Sequence, residues 1–97
     1  MTDLATLELN VFEPLIGETF RLSTDVGDID LVLHEAQALG QSLRSGGSFS
    51  LVFRATQEQA IAQQLYPIHH PALGHMQLFL VPIGPMGDDL AYEAIFT

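Results

Sequence analysis

The spacing of apolar side chains changes once along the chain. Leu4, Leu7, Val11, Phe12 and Leu15 recur at helical intervals, which predicts a short N-terminal helix. Pro14 limits how far that helix runs, because proline has no amide to give a helix interior. Gly17 is a stop signal. The alternation of Leu7, Leu9 and Val11 leaves a strand open as the other reading. From Phe20 onward the period is two. Phe20, Leu22 and Thr24 alternate with Arg21 and Ser23, then Ile29, Leu31 and Leu33 with Asp30, Val32 and His34. Asp25-Val26-Gly27-Asp28 between the two runs is a turn signal, so the pair predicts a β-hairpin. Residues 37–47 are mostly polar, end in Gly46-Gly47, and predict a loop.

Ser48 to Arg54 is the clearest strand, with Phe49, Leu51 and Phe53 on one face and Ser48, Ser50 and Arg54 on the other. Residues 55–64 are ambiguous, although Thr56 and Gln59 match a capping box. Tyr66 and Ile68 predict a short strand that Pro67 assigns to an edge. Leu78-Phe79-Leu80-Val81 within Gln77–Ile83 is continuous enough to predict a central strand covered on both faces. Pro82 then marks an edge or bulge. A turn over residues 84–88 leads to a last strand with Leu90, Tyr92, Ala94 and Phe96 on one face. The expected fold is therefore mainly β: a small antiparallel barrel or sandwich of about six strands, with a short N-terminal helix, forming one domain over residues 1–97.

Charge narrows the partners. The 12 acidic residues outnumber the three basic ones, Arg21, Arg44 and Arg54, and there is no lysine; the net charge is −9. Nucleic-acid binding needs clustered cations to replace phosphate counterions, so nucleic acid is excluded as an expected partner. An anionic membrane surface is excluded on the same ground. No apolar run approaches the ~18 residues of a membrane span. The start, Met1-Thr2-Asp3-Leu4, lacks the positive region of a signal peptide, and the expected compartment is the cytoplasm. Without cysteine there are no disulfides, thiolate metal sites or thiol nucleophiles.

The remaining residues offer little catalytic chemistry. His69 and His70 are adjacent, so on a strand they face opposite ways and cannot chelate one ion together. His34 and His75, with Asp30 or Glu35, would form a zinc site only if folding united them. Asp25, Asp28 and Asp30 stand at i, i+3 and i+5, which departs from a calcium loop and suits turn aspartates. Gly46-Gly47-Ser48-Phe49-Ser50 resembles a nucleophile elbow superficially, but it leads into a strand. There is no phosphate-binding glycine loop. No catalytic residue, metal or cofactor is expected. Phe20, Phe49, Phe53, Phe79, Tyr92 and Phe96 read as core, and the hydroxyls of Tyr66 and Tyr92 need partners if buried.

One segment reads as a structural clamp. Pro71 fixes its own φ and biases His70 towards extended geometry. Gly74 can take the positive φ of a turn. Parity puts His70 on the face of Tyr66 and Ile68, where a buried imidazole needs a partner for each nitrogen. His69 should then face solvent.

Several segments together carry a resemblance. They are Phe12-Glu13-Pro14-Leu15-Ile16-Gly17-Glu18-Thr19-Phe20, Phe49-Ser50-Leu51-Val52-Phe53-Arg54, His70-Pro71-Ala72-Leu73-Gly74, Leu78-Phe79-Leu80-Val81-Pro82-Ile83 and Tyr92-Glu93-Ala94-Ile95-Phe96. In this order the chain resembles a family of short bacterial proteins of unknown function, often encoded beside phage-tail-collar-like proteins. Gln64 stands where that pattern has a glycine. The resemblance implies no catalytic residues. It implies a non-enzymatic interaction or structural module, accessory to a phage-tail-like assembly; such a role needs exposed strand edges or an apolar patch for a protein partner or for self-association. The alternative is a small-ligand-binding β-barrel or a minor hydrolase using His70 or His34. A pocket of roughly 300 Å³ or more with converging polar groups separates the two readings.

Overall fold

The computed structural model of the chain describes residues 8–25, 27–40, 48–56 and 61–96. Six strands follow one another: β1 (Thr19–Thr24), β2 (Gly27–Gly40), β3 (Ser48–Thr56), β4 (Gln64–His70), β5 (Gly74–Met86) and β6 (Asp89–Phe96). All pair antiparallel, in the order β1-β2-β3-β6-β5-β4, and the ring closes into a barrel. A sheet with one apolar face gains twice by closing: that face becomes a shared core, and the edges vanish. The closing seam, between β1 and β4, is the short one, with the pairs Arg21↔His69 and Leu22↔Ile68.

The inward positions are the apolar set expected from the alternation. Phe20 and Leu22, Ile29, Leu31 and Leu33, and Phe49, Leu51 and Phe53 are all buried. Each end of the barrel has its own plug. Helix α1 (Leu9–Phe12), a single turn running into a 3-10 turn over Glu13–Leu15, delivers Phe12 to one end. Its ring lies 5.7 Å from both Phe49 and Phe96, and Phe49 and Phe96 stack at 4.4 Å as an in-register β3–β6 pair. Leu4 and Leu7 of the predicted helix lie outside the described residues. At the other end, the Ile61 amide donates to the Tyr92 hydroxyl at 3.0 Å, and the Tyr66 hydroxyl donates to the Ala62 carbonyl at 2.7 Å. Both tyrosines have the partners their burial demands, and Ile61 packs against the core.

Four expectations need correction. Residues 37–40 are strand, because β2 continues to Gly40; residues 41–47 lie outside the described residues. Register shifts between Leu33 and Glu35, and between Ala38 and Gly40, break the period-two pattern that would have marked them. The apolar run in β5 is covered on one face only: Met76, Leu78 and Leu80 are buried while Phe79 and Ile83 are exposed. The turn predicted over residues 84–88 is only Gly87-Asp88, since Met86 pairs with Asp89. Gly87 has φ +62, the left-handed geometry that a two-residue hairpin loop requires. Finally, Ser50 and Val52 are buried although they face outward. β3 lies between β2 and β6, and Ser50 is flanked in register by the longer Gln37 and Ile95. Pro82 does mark a bulge, where the β5–β6 register shifts before Gly84. The Thr56/Gln59 capping box falls on Thr56, the last residue of β3, and on residues outside the described ones.

Candidate functional site

The turn between β4 and β5 is built by its residues in order. His70 pairs with Gly74, and the Leu73 amide donates to the His70 carbonyl at 3.1 Å, closing a turn over Pro71 and Ala72. Gly74, the first residue after the three-residue loop Pro71-Ala72-Leu73, has φ +80, which glycine takes without strain. His70 itself is buried, on the inner face with Tyr66 and Ile68. Its Nδ1 accepts from the Ala72 amide at 3.0 Å, and its Nε2 lies 2.8 Å from Glu18 Oε1. An Nδ1 that accepts carries no proton, so the proton sits on Nε2 and is donated to the carboxylate. The ring packs 4.6 Å from Phe20. Glu18 is held in place by the chain before β1, where the Leu33 amide donates to the Glu18 carbonyl at 3.0 Å. Each nitrogen thus has the partner that burial demands, and nothing local in the sequence points to the carboxylate.

On the outer face, four consecutive strands place four polar side chains in one cross-strand row. Asp30 on β2 pairs with Arg21 on β1, Arg21 with His69 on β4, and His69 with His75 on β5. Arg21 Nε lies 3.4 Å from Asp30 Oδ1, an exposed pair that contributes little to stability. His69 is half-buried rather than open to solvent, and its ring centroid lies 4.5 Å from that of His75.

The other candidates do not assemble. His34 is on β2 and His75 on β5, at opposite sides of the ring, with two strands between them in either direction. Among the described residues no three histidine, aspartate or glutamate side chains gather as metal ligands, so neither the His34/His75 set nor Asp25/Asp28/Asp30 forms a site. Ser48 and Ser50 are inside β3, which runs on to Thr56, and Gly46 and Gly47 lie outside the described residues. Two grooves flank the short β1–β4 seam. One, of about 360 Å³, is lined by Ser23, Thr24, Asp25, Gln64, Tyr66 and Pro67. The other, of about 260 Å³, is lined by Thr19, Arg21, His69 and Pro71. The first groove exceeds the roughly 300 Å³ of a small-ligand site and has polar lining, but it lies along the seam, while the barrel interior is filled by Phe12, Phe20, Phe49, Phe53 and their neighbours.

The family described as Domain of unknown function (DUF6916) matches residues 7–96. The chain belongs to that family. No curated protein and no solved structure matches it. Among the described residues of this DUF6916 domain, no helix is long and apolar enough to cross a membrane. One surface feature of the DUF6916 domain stands out from its acidic background. Leu65 on β4 and Phe79 on β5 are cross-strand partners pointing outward, 50% and 49% exposed. Ile83 on β5 and Ile95 on β6 are about as exposed; Phe79 and Ile95 each stand two residues from the Val81↔Glu93 pair, and Ile83 lies in the bulge between Pro82 and Gly84.

Proposed function

We propose that the domain is a non-enzymatic interaction module, accessory to a phage-tail-like assembly, which docks a protein partner on the apolar outer face of β4, β5 and β6. The observation that carries the docking face is the Leu65–Phe79 pair with Ile83 and Ile95 beside it. Isolated exposed apolar residues are ordinary, but an exposed apolar cross-strand pair, with two more exposed isoleucines on β5 and β6, supports an interaction surface on a domain of net charge −9. The assembly half of the proposal rests on the resemblance alone. Because the strands close into a ring, we put the contact on this face rather than on strand edges. An enzymatic reading finds no support in His70, whose two ring nitrogens are already engaged.

Site-specific photocrosslinking in the native host tests the proposal. A benzoylphenylalanine at position 65 or 83 should capture a tail-like component, and one at His34 should not. No adduct from positions 65 and 83, or equal adducts from all three, would overturn the docking face. A specific adduct with a protein unrelated to tails would overturn the assembly half.

A further inference from the structure

We propose that His69 and His75 form a two-histidine chelate for a late first-row divalent metal ion, with Cu²⁺ bound most tightly. Imidazole nitrogen is a good ligand for copper, nickel and zinc, and affinity in such sites rises towards copper. The geometry suits one ion. With metal–nitrogen bonds of about 2.0–2.1 Å, two imidazoles bound cis to the same metal keep their ring centroids roughly 4.5–5 Å apart. The observed separation is 4.5 Å, with the rings tilted 46° rather than stacked flat.

The hairpin fixes this spacing. His69 and His75 are direct cross-strand partners, and the next pair, His70↔Gly74, closes the turn, so neither backbone position has to move on binding. The choice of ring is equally constrained. His70 has both nitrogens engaged, His34 is on β2 across the barrel from β5, and the chain has no cysteine to compete. Arg21 is the neighbour of His69 on the β1 side, and its charge opposes a cation. Asp30, 3.4 Å from Arg21, offsets it, and the net charge of −9 raises the local concentration of cations. With no third histidine or carboxylate converging among the described residues, water completes the coordination shell.

The test uses the full chain without a histidine tag. Titration with CuCl₂, NiCl₂ and ZnCl₂ should give one ion per chain, tightest for Cu²⁺, and electron paramagnetic resonance of the Cu²⁺ form should show two coordinated imidazoles. His75→Gln, at an exposed position, should keep the circular dichroism of the parent, weaken Cu²⁺ at least tenfold and leave one imidazole. His69→Gln should do the same, and His34→Gln should change neither readout. No stoichiometric binding, or binding that survives both His69→Gln and His75→Gln, would overturn the site.

Discussion

The imidazole of His70 and the carboxylate of Glu18 are 52 residues apart in the chain and meet at 2.8 Å, the ring almost fully buried and the carboxylate half exposed. The contact ties the β4–β5 turn to the segment entering β1, across the barrel's shortest seam. We therefore expect His70→Ala to lower stability by roughly 2–4 kcal/mol, from the lost ring packing and the orphaned Ala72 amide. Glu18→Gln keeps an acceptor for Nε2 and should change stability by less than about 1 kcal/mol. Chemical denaturation measures both. His69→Ala, on the other face, should barely move the midpoint, and an undisturbed His70→Ala would end the reading of His70, Pro71 and Gly74 as a clamp.

Phe53 and Ser50 separate the two faces of β3. Both are buried, but Phe53 lies in the barrel core, 5.3 Å from Phe20, and Ser50 lies outside it, shaded by its neighbours. Phe53→Ala should destabilise by about 3–5 kcal/mol and Ser50→Ala by less than about 1 kcal/mol. Equal losses in urea denaturation would mean that the outer face of β3 is as tightly packed as the core.

Phe12 shows how a single-turn helix can matter. A four-residue helix has little stability of its own, so α1 persists through the ring it buries. Phe12→Ala should lower stability by about 3–5 kcal/mol and weaken the near-ultraviolet circular dichroism of the Phe12, Phe20, Phe49 and Phe96 cluster. A variant with unchanged melting would show that the barrel end closes without the helix.

Much of the architecture was legible because alternation reports which side chains turn towards the barrel interior. Phe49, Leu51 and Phe53 named the inner face of β3, though not the burial of Ser50 and Val52, and the turn expected over residues 25–28 is shorter, since Gly27 and Asp28 already pair with Thr24 and Ser23. Alternation fails where the backbone changes parity, which is how the bulges in β2 concealed residues 37–40 as strand. It fails again where both faces are apolar, because sequence alone does not separate a covered face from an exposed one; Phe79 and Ile83 were read as buried for that reason. Glu18 was invisible as the partner of His70, since nothing local links positions 18 and 70. The His69–His75 pair was legible in principle. Once His70 to Gly74 is a three-residue hairpin loop, the residues one step outside it must face each other across the strands.

Tyr66 and Tyr92 give the last prediction. They come from different strands, and their hydroxyls hold adjacent residues of one segment: Tyr66 donates to the Ala62 carbonyl, and Tyr92 accepts from the Ile61 amide. That segment leads into β4 and brings Ile61 against the core. Removing either hydroxyl with phenylalanine preserves the ring packing, so each single variant should lose only the bond, about 0.5–1.5 kcal/mol. The two losses should not add. Once one hydroxyl is gone, residues 61–62 are held less firmly, and the second bond constrains a segment already partly released. A double-mutant cycle by chemical denaturation should therefore give a combined loss smaller than the sum by at least about 0.5 kcal/mol, beyond the scatter of independent sites. Strict additivity would mean that the two tyrosines act separately, and that Ile61 is kept in place by its own burial.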